Sequence, residues 1–351
     1  MKKILQTSLA CGLVAAGVLS ATTSLAECQA CNDGWICTCV QKCTCSPFLG
    51  RWALDLGGGA GWLGVEKGEN GSLKSSILWY GGSVVPTAET KLDGDKLLVI
   101  RKHGVKKDGK DVTNTETLTF TLNGRDLISA TSVTVDESGK QIGKKDFKGN
   151  RIPPIPQKPD LSKLKFGEPI SLVKGNDLSG WKLMNEKAHN GWTMKDGVLS
   201  NNVFDKDGKR IHGCANIMTE QKFEDFKLHV EVKVEPGCNS GIYLRGIYEI
   251  QVLDSFGKPV NSHHMGALYS RITPSVAAEK PAGEWQTEDI TLVNRHLTVV
   301  LNGKKIIDNQ PILGCTGGAI TANEFIPGPI YLQGDHSNAS FRNMVLTPIV
   351  K

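Results

Sequence analysis

Short runs that alternate apolar and polar residues, punctuated by Asp-Gly and Asn-Gly pairs, recur along most of this chain. Such pairs include Asp93-Gly94, Asn123-Gly124, Asp196-Gly197 and Asn302-Gly303, and Ser138-Gly139 and Gly317-Gly318 mark further turns. A period of two puts residues i and i+2 on one face of a strand, and Asx-Gly supplies the positive φ angles of tight hairpins. Phe226–Val234 keeps this alternation over its full length, which predicts a half-buried strand. Leu297–Leu301 and Lys305–Ile307 flank Asn302-Gly303 as the two arms of a hairpin. The 39 glycines fit many such turns, and no segment sustains a helical period. The pattern predicts an all-β protein.

The chain opens with Lys2 and Lys3, an apolar stretch from Leu9 to Val18, and the small-residue site Ser24-Leu25-Ala26. This is the layout of a signal peptide over residues 1–26, cleaved after Ala26, and it predicts a secreted or periplasmic, cell-envelope protein. Leu9-Ala10-Cys11-Gly12 offers a lipidation site as the alternative, although Ser8 stands where a lipobox prefers Leu. The apolar stretch is short for a span, so no transmembrane helix is expected after cleavage. Cleavage removes Lys2 and Lys3 from 41 basic residues and none of the 36 acidic ones, which leaves a net charge of +3. So mild and scattered an excess argues against a nucleic-acid partner.

Residues 27–46 hold Cys28, Cys31, Cys37, Cys39, Cys43 and Cys45. In an exported chain this reads as a small disulfide knot; a thiolate metal cluster is the alternative. Cys214, Cys238 and Cys315 are scattered, and the odd total after cleavage leaves a thiol free or paired between chains. Residues 47–150, with candidate strands at Trp52–Leu56, Ser76–Tyr80, Lys96–Arg101, Glu116–Thr121 and Leu127–Val135, read as a small β domain, barrel-like or sandwich. Its Gly50-Arg51-Trp52 opening resembles that of lipocalin-like barrels. Four prolines between Pro153 and Pro159 make residues 151–163 a semi-rigid linker. Residues 164–351 are again strand-rich and long enough for a two-sheet sandwich or jelly roll.

The most informative stretch is 239–254, which reads as two strands joined around Gly246. Alternation puts Tyr243 with Arg245, and Glu249 with Gln251, opposite Ile242, Leu244, Ile250 and Val252. Such a face suits a hydroxyl-rich ligand, and a solvated outer face is the plain alternative. Glu249, Gln251 and Asp254 resemble the Glu-x-Asp-x-x-Glu strand of laminarinase-type glycosidases, but with an amide in the middle and a shorter last acid. Asp254 joins Glu249 only if a bulge intervenes, because five is an odd separation. Asp335-His336, at a turn after Tyr331-Leu332, could tune a base or hold a metal. Tyr269 and Trp285 could stack on a sugar, and Lys280 lies in a loop that could line a cleft. His263-His264 reads as a loop feature.

Ordered motifs then tie the second segment to a known family. They run from Gly175-Asn-Asp-Leu-Ser-Gly-Trp181 through Asn239-Ser-Gly-Ile-Tyr-Leu-Arg245, Tyr248-Glu-Ile-Gln-Val-Leu-Asp254, Gly266-Ala-Leu-Tyr269 and Lys280-Pro-Ala-Gly-Glu-Trp285. Gly328-Pro-Ile-Tyr-Leu-Gln333 and Phe341-Arg-Asn343 close the series. In this order residues 166–349 resemble the 3-keto-disaccharide hydrolase domain. The resemblance implies a concanavalin A-like jelly roll acting on glycosides whose C3 hydroxyl is already a ketone, supplied by an upstream glycoside 3-dehydrogenase. For that chemistry the expected base is Glu249 or His336, with Arg245, Gln251, Tyr269, Lys280, Trp285 and Gln333 binding substrate. Asp254 and Asp335 would orient neighbours or hold a divalent cation, which the family leaves open. Gln286 departs from the family, which commonly has Asn there. The rival readings are a sugar-binding scaffold without catalysis and an ordinary two-carboxylate glycosidase.

Overall fold

The computed structural model describes residues 46–107 and 109–350. The expectations for the signal peptide, the lipidation site and the cysteines from Cys28 to Cys45 lie outside the described residues. Among the described residues the regular structure is almost entirely strand. No helix there is long and apolar enough to cross a membrane.

The first nine strands form one antiparallel sheet: β1 (Gly50–Asp55), β2 (Ala60–Lys67), β3 (Leu73–Trp79), β4 (Gly81–Pro86), β5 (Glu89–Asp93), β6 (Lys96–Lys107), β7 (Lys110–Leu122), β8 (Leu127–Val135) and β9 (Gln141–Ile152). Their order is β4-β3-β2-β1-β9-β8-β7-β6-β5, a meander with β1 returned to β9. The sheet curls until its ends meet, where Ser75 Oγ lies 2.8 Å from the Thr87 hydroxyl and 2.6 Å from that of Thr90. The result is barrel-like, filled by Trp52, Leu63, Ile77, Val99, Phe120 and their neighbours. Trp52, expected to open a strand, donates its indole N–H to the Phe48 carbonyl (2.9 Å), so its one polar atom is satisfied inside the core.

The following strands are β10 (Lys165–Phe166), β11 (Ile170–Ser171), β12 (Trp181–Leu183), β13 (Trp192–Lys195), β14 (Val198–Asn201), β15 (Ile217–Thr219) and β16 (Phe226–Val234). Then come β17 (Asn239–Leu244), β18 (Tyr248–Leu253), β19 (Gln286–Val293), β20 (His296–Leu301), β21 (Lys304–Pro311), β22 (Tyr331–Leu332) and β23 (Ala339–Val350). They build a large sheet, β13-β14-β23-β16-β19-β20-β21 with β10 and β11 on β23, and a smaller one, β12-β15-β22-β17-β18. Phe226, Leu228, Val230, Val232 and Val234 point from β16 into the core that both sheets share. Each such burial stabilises by roughly 1.5–3 kcal/mol relative to an exposed side chain. The architecture is the expected all-β jelly roll preceded by a smaller barrel-like sheet.

The two parts are packed together. Ala53, Ala60, Trp62 and Leu78 of the first sheet belong to the same apolar cluster as the sandwich core. The Arg271 guanidinium lies 4.4 Å from the Trp62 ring centre. The proline segment is pinned as well. Arg295 donates to the Pro153 carbonyl (3.0 Å) and to that of Pro154, and Asn309 Nδ2 donates to the Pro159 carbonyl (2.9 Å). Most important for the site, the β3–β4 hairpin meets the Gly317-Gly318 loop. A Cβ on Gly317 would come within 2.1 Å of the Gly82 carbonyl oxygen, so only glycine allows the two backbones to touch.

Candidate active site

The β17–β18 hairpin sets the site. Its register runs without a break from Asn239↔Leu253 to Leu244↔Tyr248, pairing Tyr243 with Glu249 and Gly241 with Gln251. On the other side of β17, Tyr243 pairs with Tyr331 of β22, and this register carries Gln333 opposite Gly241. Directly paired residues share a face, so Tyr243, Glu249, Gln251, Tyr331 and Gln333 stand together. Ile242, Leu244, Ile250 and Val252 face the core. The polar side is not a solvated outer face: Tyr243, Glu249, Gln251, Tyr331 and Gln333 are all buried.

Glu249 lies flat over Gly241, where a Cβ would come within 2.5 Å of Glu249 Oε1. Burial pushes its carboxyl up to about 8; the Tyr243 hydroxyl works against this, and the charge of Asp335 adds to it. Tyr243 donates to the Gly317 carbonyl (2.9 Å), and its ring stacks on Tyr331 with centres 4.1 Å apart. Burial raises the pKa of both phenols, so they remain neutral at physiological pH. Asn216 Nδ2 donates to the Tyr331 hydroxyl (3.3 Å), while its carbonyl accepts from the Gly334 and Asp335 N–H groups (2.7 and 3.2 Å). The buried amide oxygen of Gln333 has no partner, a group poised for a ligand.

Asp335 and His336 sit at the rim, exposed, with Asp335 Oδ1 2.6 Å from His336 Nδ1. Burial alone would raise the Asp335 carboxyl, but bonding and charge from His336 bring it below the usual range. At the edge of β18, Tyr269 donates its N–H to the Glu249 carbonyl (2.9 Å) in a short antiparallel pairing around Ile250↔Leu268. The pairing turns the Tyr269 ring to the Glu249 face. Glycine at 241 is therefore a requirement of the site. Gly241→Ala is expected to displace the Glu249 carboxyl and lower kcat by roughly 10- to 100-fold with little change in KM, as steady-state kinetics will show.

Four expected site residues lie elsewhere. Arg245 takes a left-handed backbone (φ 56°) in the turn after β17, which resets the alternation. Its guanidinium donates to the carbonyls of Glu324 (2.7 Å) and Ile326 (2.5 Å), in a buried group with the Arg295–Glu324 ion pair. Asp254 lies beyond β18 with no bulge before it, and its carboxylate accepts the Gly237 N–H (2.8 Å). Trp285 packs beneath the Arg342 guanidinium, 4.0 Å away, beside Lys233 on the large sheet. Lys280 Nζ donates to the Trp285 carbonyl (3.0 Å). Gln286, the departure from the family pattern, is buried and spans the Lys280 backbone and Asn302, so it shapes its own loop. Asp254 and Asp335 are each committed to different partners, and no group of three or more His, Cys, Asp or Glu that could hold a metal gathers among the described residues. The donor set for a divalent cation is not assembled by these two acids.

Asn216, Tyr331 and Gly241 were not singled out by sequence. Tyr331 could have been, since it is two residues before Gln333 on a strand; Asn216 gives no local signal. A separate cavity of about 430 Å³, lined by Asp55, Asn150, Asn323 and Phe325, lies between β1 and the 320–325 loop and does not include Glu249.

With Asp254 turned away, Glu249 is the one carboxylate on β18, and Asp335 stands at the rim. Glu249 is thus a single raised carboxyl on a buried polar face. Residues 168–347, just over half the chain, match the 3-keto-alpha-glucoside-1,2-lyase-like domain, and the chain belongs to that family. A 3-keto-disaccharide hydrolase of Bacteroides thetaiotaomicron is 25% identical over 166 residues, 40% of this chain and 57% of that protein. The match thus spans little more than half of that relative. A proposed glycosyl hydrolase of Parabacteroides distasonis, known from a crystal structure, is 32% identical with a TM-score of 0.40, covering 51% of this chain and 82% of that one. A non-specific endo-β-1,3(4)-glucanase of family GH16 shows 10% identity and a TM-score of 0.34, covering 55% and 92%. Superpositions this partial carry no functional argument.

Proposed function

We propose that this protein cleaves 3-keto-glycosides, 3-keto-disaccharides among them, by elimination and hydration, with Glu249 as the base. The observation that carries the reading is the buried Glu249 carboxyl, raised to about 8 and set beside neutral donors without a second carboxylate on its strand. A C3 ketone acidifies the C2 proton, so one base suffices. Glu249 takes that proton, and the electron pair moves into the C3 carbonyl to form an enolate. The Gln251 and Gln333 amides and the Tyr331 hydroxyl are the donors on this face able to stabilise the enolate oxygen. Collapse of the enolate restores the ketone, forms the C1–C2 double bond and expels the C1 substituent. His336, oriented by Asp335 at the rim, gives the leaving oxygen its proton. Water then adds across C1–C2, and the sum is hydrolysis.

The ketone must come from an oxidation that precedes this step, which makes a glycoside 3-dehydrogenase the functional partner. The basic, apolar and small-residue order of residues 1–26 supports export to the cell envelope or beyond. Incubating the purified protein with 3-keto-trehalose and 3-keto-lactose beside their parent sugars tests the reading. Cleavage of the keto forms alone is expected; cleavage of the parents, or binding without any cleavage, would refute it.

A further inference from the structure

We infer that the N-terminal sheet supplies a working part of the cleft: Ser83 is a positioning residue that fixes, through His263, the Tyr269 ring against which the sugar stacks. The inference rests on the proposed glycoside site, yet Ser83 lies outside the segment that the family match covers. Three contacts carry it. Ser83 Oγ is 2.7 Å from His263 Nε2, across the junction between the two parts of the chain. The His263 ring meets the Tyr269 ring edge-on, with centres 4.9 Å apart and planes at 88°. Tyr269 in turn is bonded by its backbone to Glu249.

His263 has little freedom of its own. Its N–H donates to Asn261 Oδ1 (2.7 Å), which sets the backbone; Ser262 Oγ lies 3.4 Å from Nδ1, and the shorter Ser83 contact at Nε2 is the stronger hold on the ring. An edge-to-face contact depends on that orientation, because the positive ring edge must meet the negative face. Next to it, the Val84 N–H donates to Ser270 Oγ (2.9 Å), so the β4 backbone and the residue after Tyr269 are fastened together. The same hairpin reaches the other flank of the site. The Gly318 N–H donates to the Tyr80 carbonyl (3.0 Å), and the adjoining Gly317 carbonyl accepts the Tyr243 hydroxyl behind Glu249. The β3–β4 hairpin therefore braces both loops beside the base, and Ser83 is the point where it touches a ring that touches the sugar platform. Sugar stacking binds ground state and transition state alike, so its loss is read in KM and not in kcat.

The test compares full-length wild type, Ser83→Ala, Ser83→Thr, Tyr269→Ala and the Ser83→Ala/Tyr269→Ala pair on 3-keto-trehalose. Titration calorimetry with trehalose itself runs alongside. Ser83→Ala is expected to raise KM by roughly 5- to 20-fold with kcat within about twofold, and Thr, which keeps the hydroxyl, to restore it. In the Tyr269→Ala background the serine change adds nothing. An unchanged KM in Ser83→Ala, a loss confined to kcat, or full additivity with Tyr269→Ala would overturn the assignment. Weakened trehalose binding in Ser83→Ala, in a protein that turns over no keto sugar, would sink the proposed reaction and leave this inference standing.

Discussion

Replacing Glu249 by Gln is expected to lower kcat on a 3-keto-glycoside by roughly 10²–10⁴-fold while leaving the fold and sugar binding intact. Gln keeps the size of the side chain that fills the space over Gly241 and removes only the ability to take a proton. The pH dependence follows from the same carboxyl. Burial holds it protonated up to about 8, so the active, ionised fraction in the free enzyme grows as pH rises. In wild type, kcat/KM should climb through neutrality and level off above about 8, and in Glu249→Gln that limb should vanish. A limb near 4.5, the value of an unperturbed Glu, would show that burial does not tune the base. The protonated resting form is no contradiction: a carboxylate that binds its proton tightly is the stronger base towards carbon.

The second large effect concerns a different acid. Glu288 points from β19 into the sandwich core, opposite Val230 of β16 and Leu301 of β20. It is fully buried, neither carboxyl oxygen has a partner, and burial raises it to about 8. An unfolded chain releases that proton near 4.5. Between these values the folded state holds the extra proton, so stability falls as pH rises. At pH 7 this amounts to on the order of 3 kcal/mol, and a further 1–3 kcal/mol attaches to burying even the neutral acid unpaired. Glu288→Met should therefore stabilise the protein more at pH 7.5 than at pH 4.5. Denaturant midpoints at the two pH values measure it. A Met variant no more stable than wild type at pH 7.5 would mean that the carboxyl has a use in the core that its surroundings do not reveal.

How far the sequence could be read depends on how local each cause is. The β16 alternation and the β20–β21 hairpin were legible because a period of two and an Asn-Gly turn are written within a dozen residues. Glu249 and Gln251 were placed on one face for the same reason. Arg245 was not, because one residue in the left-handed region at the turn ends the strand's parity, and sequence does not say which residue takes it. Asp254 depended on a bulge that only strand pairing can decide. Asn216 and Tyr331 join Glu249 through the order β15-β22-β17-β18, which brings Tyr331 from 82 residues along the chain (331 − 249) and Asn216 from 33 (249 − 216). Trp285 looked like a sugar platform by residue type. Its place beneath Arg342 is set by β16 and β23, far along the chain. The role of the first sheet beside the site was equally hidden, since Ser83 and His263 are separated by 180 residues.

The central claim is that one buried carboxyl removes the C2 proton of a 3-keto-glycoside. Running the reaction in D2O, under conditions in which the product ketone does not exchange by itself, tests it most directly. The account predicts that each keto sugar released by the wild type carries one solvent deuterium at C2, that the sugar expelled from C1 carries none on carbon, and that a substrate deuterated at C2 of the keto ring reacts more slowly. Cleavage that leaves the C2 hydrogen in place, at the same rate for both substrates, would contradict it.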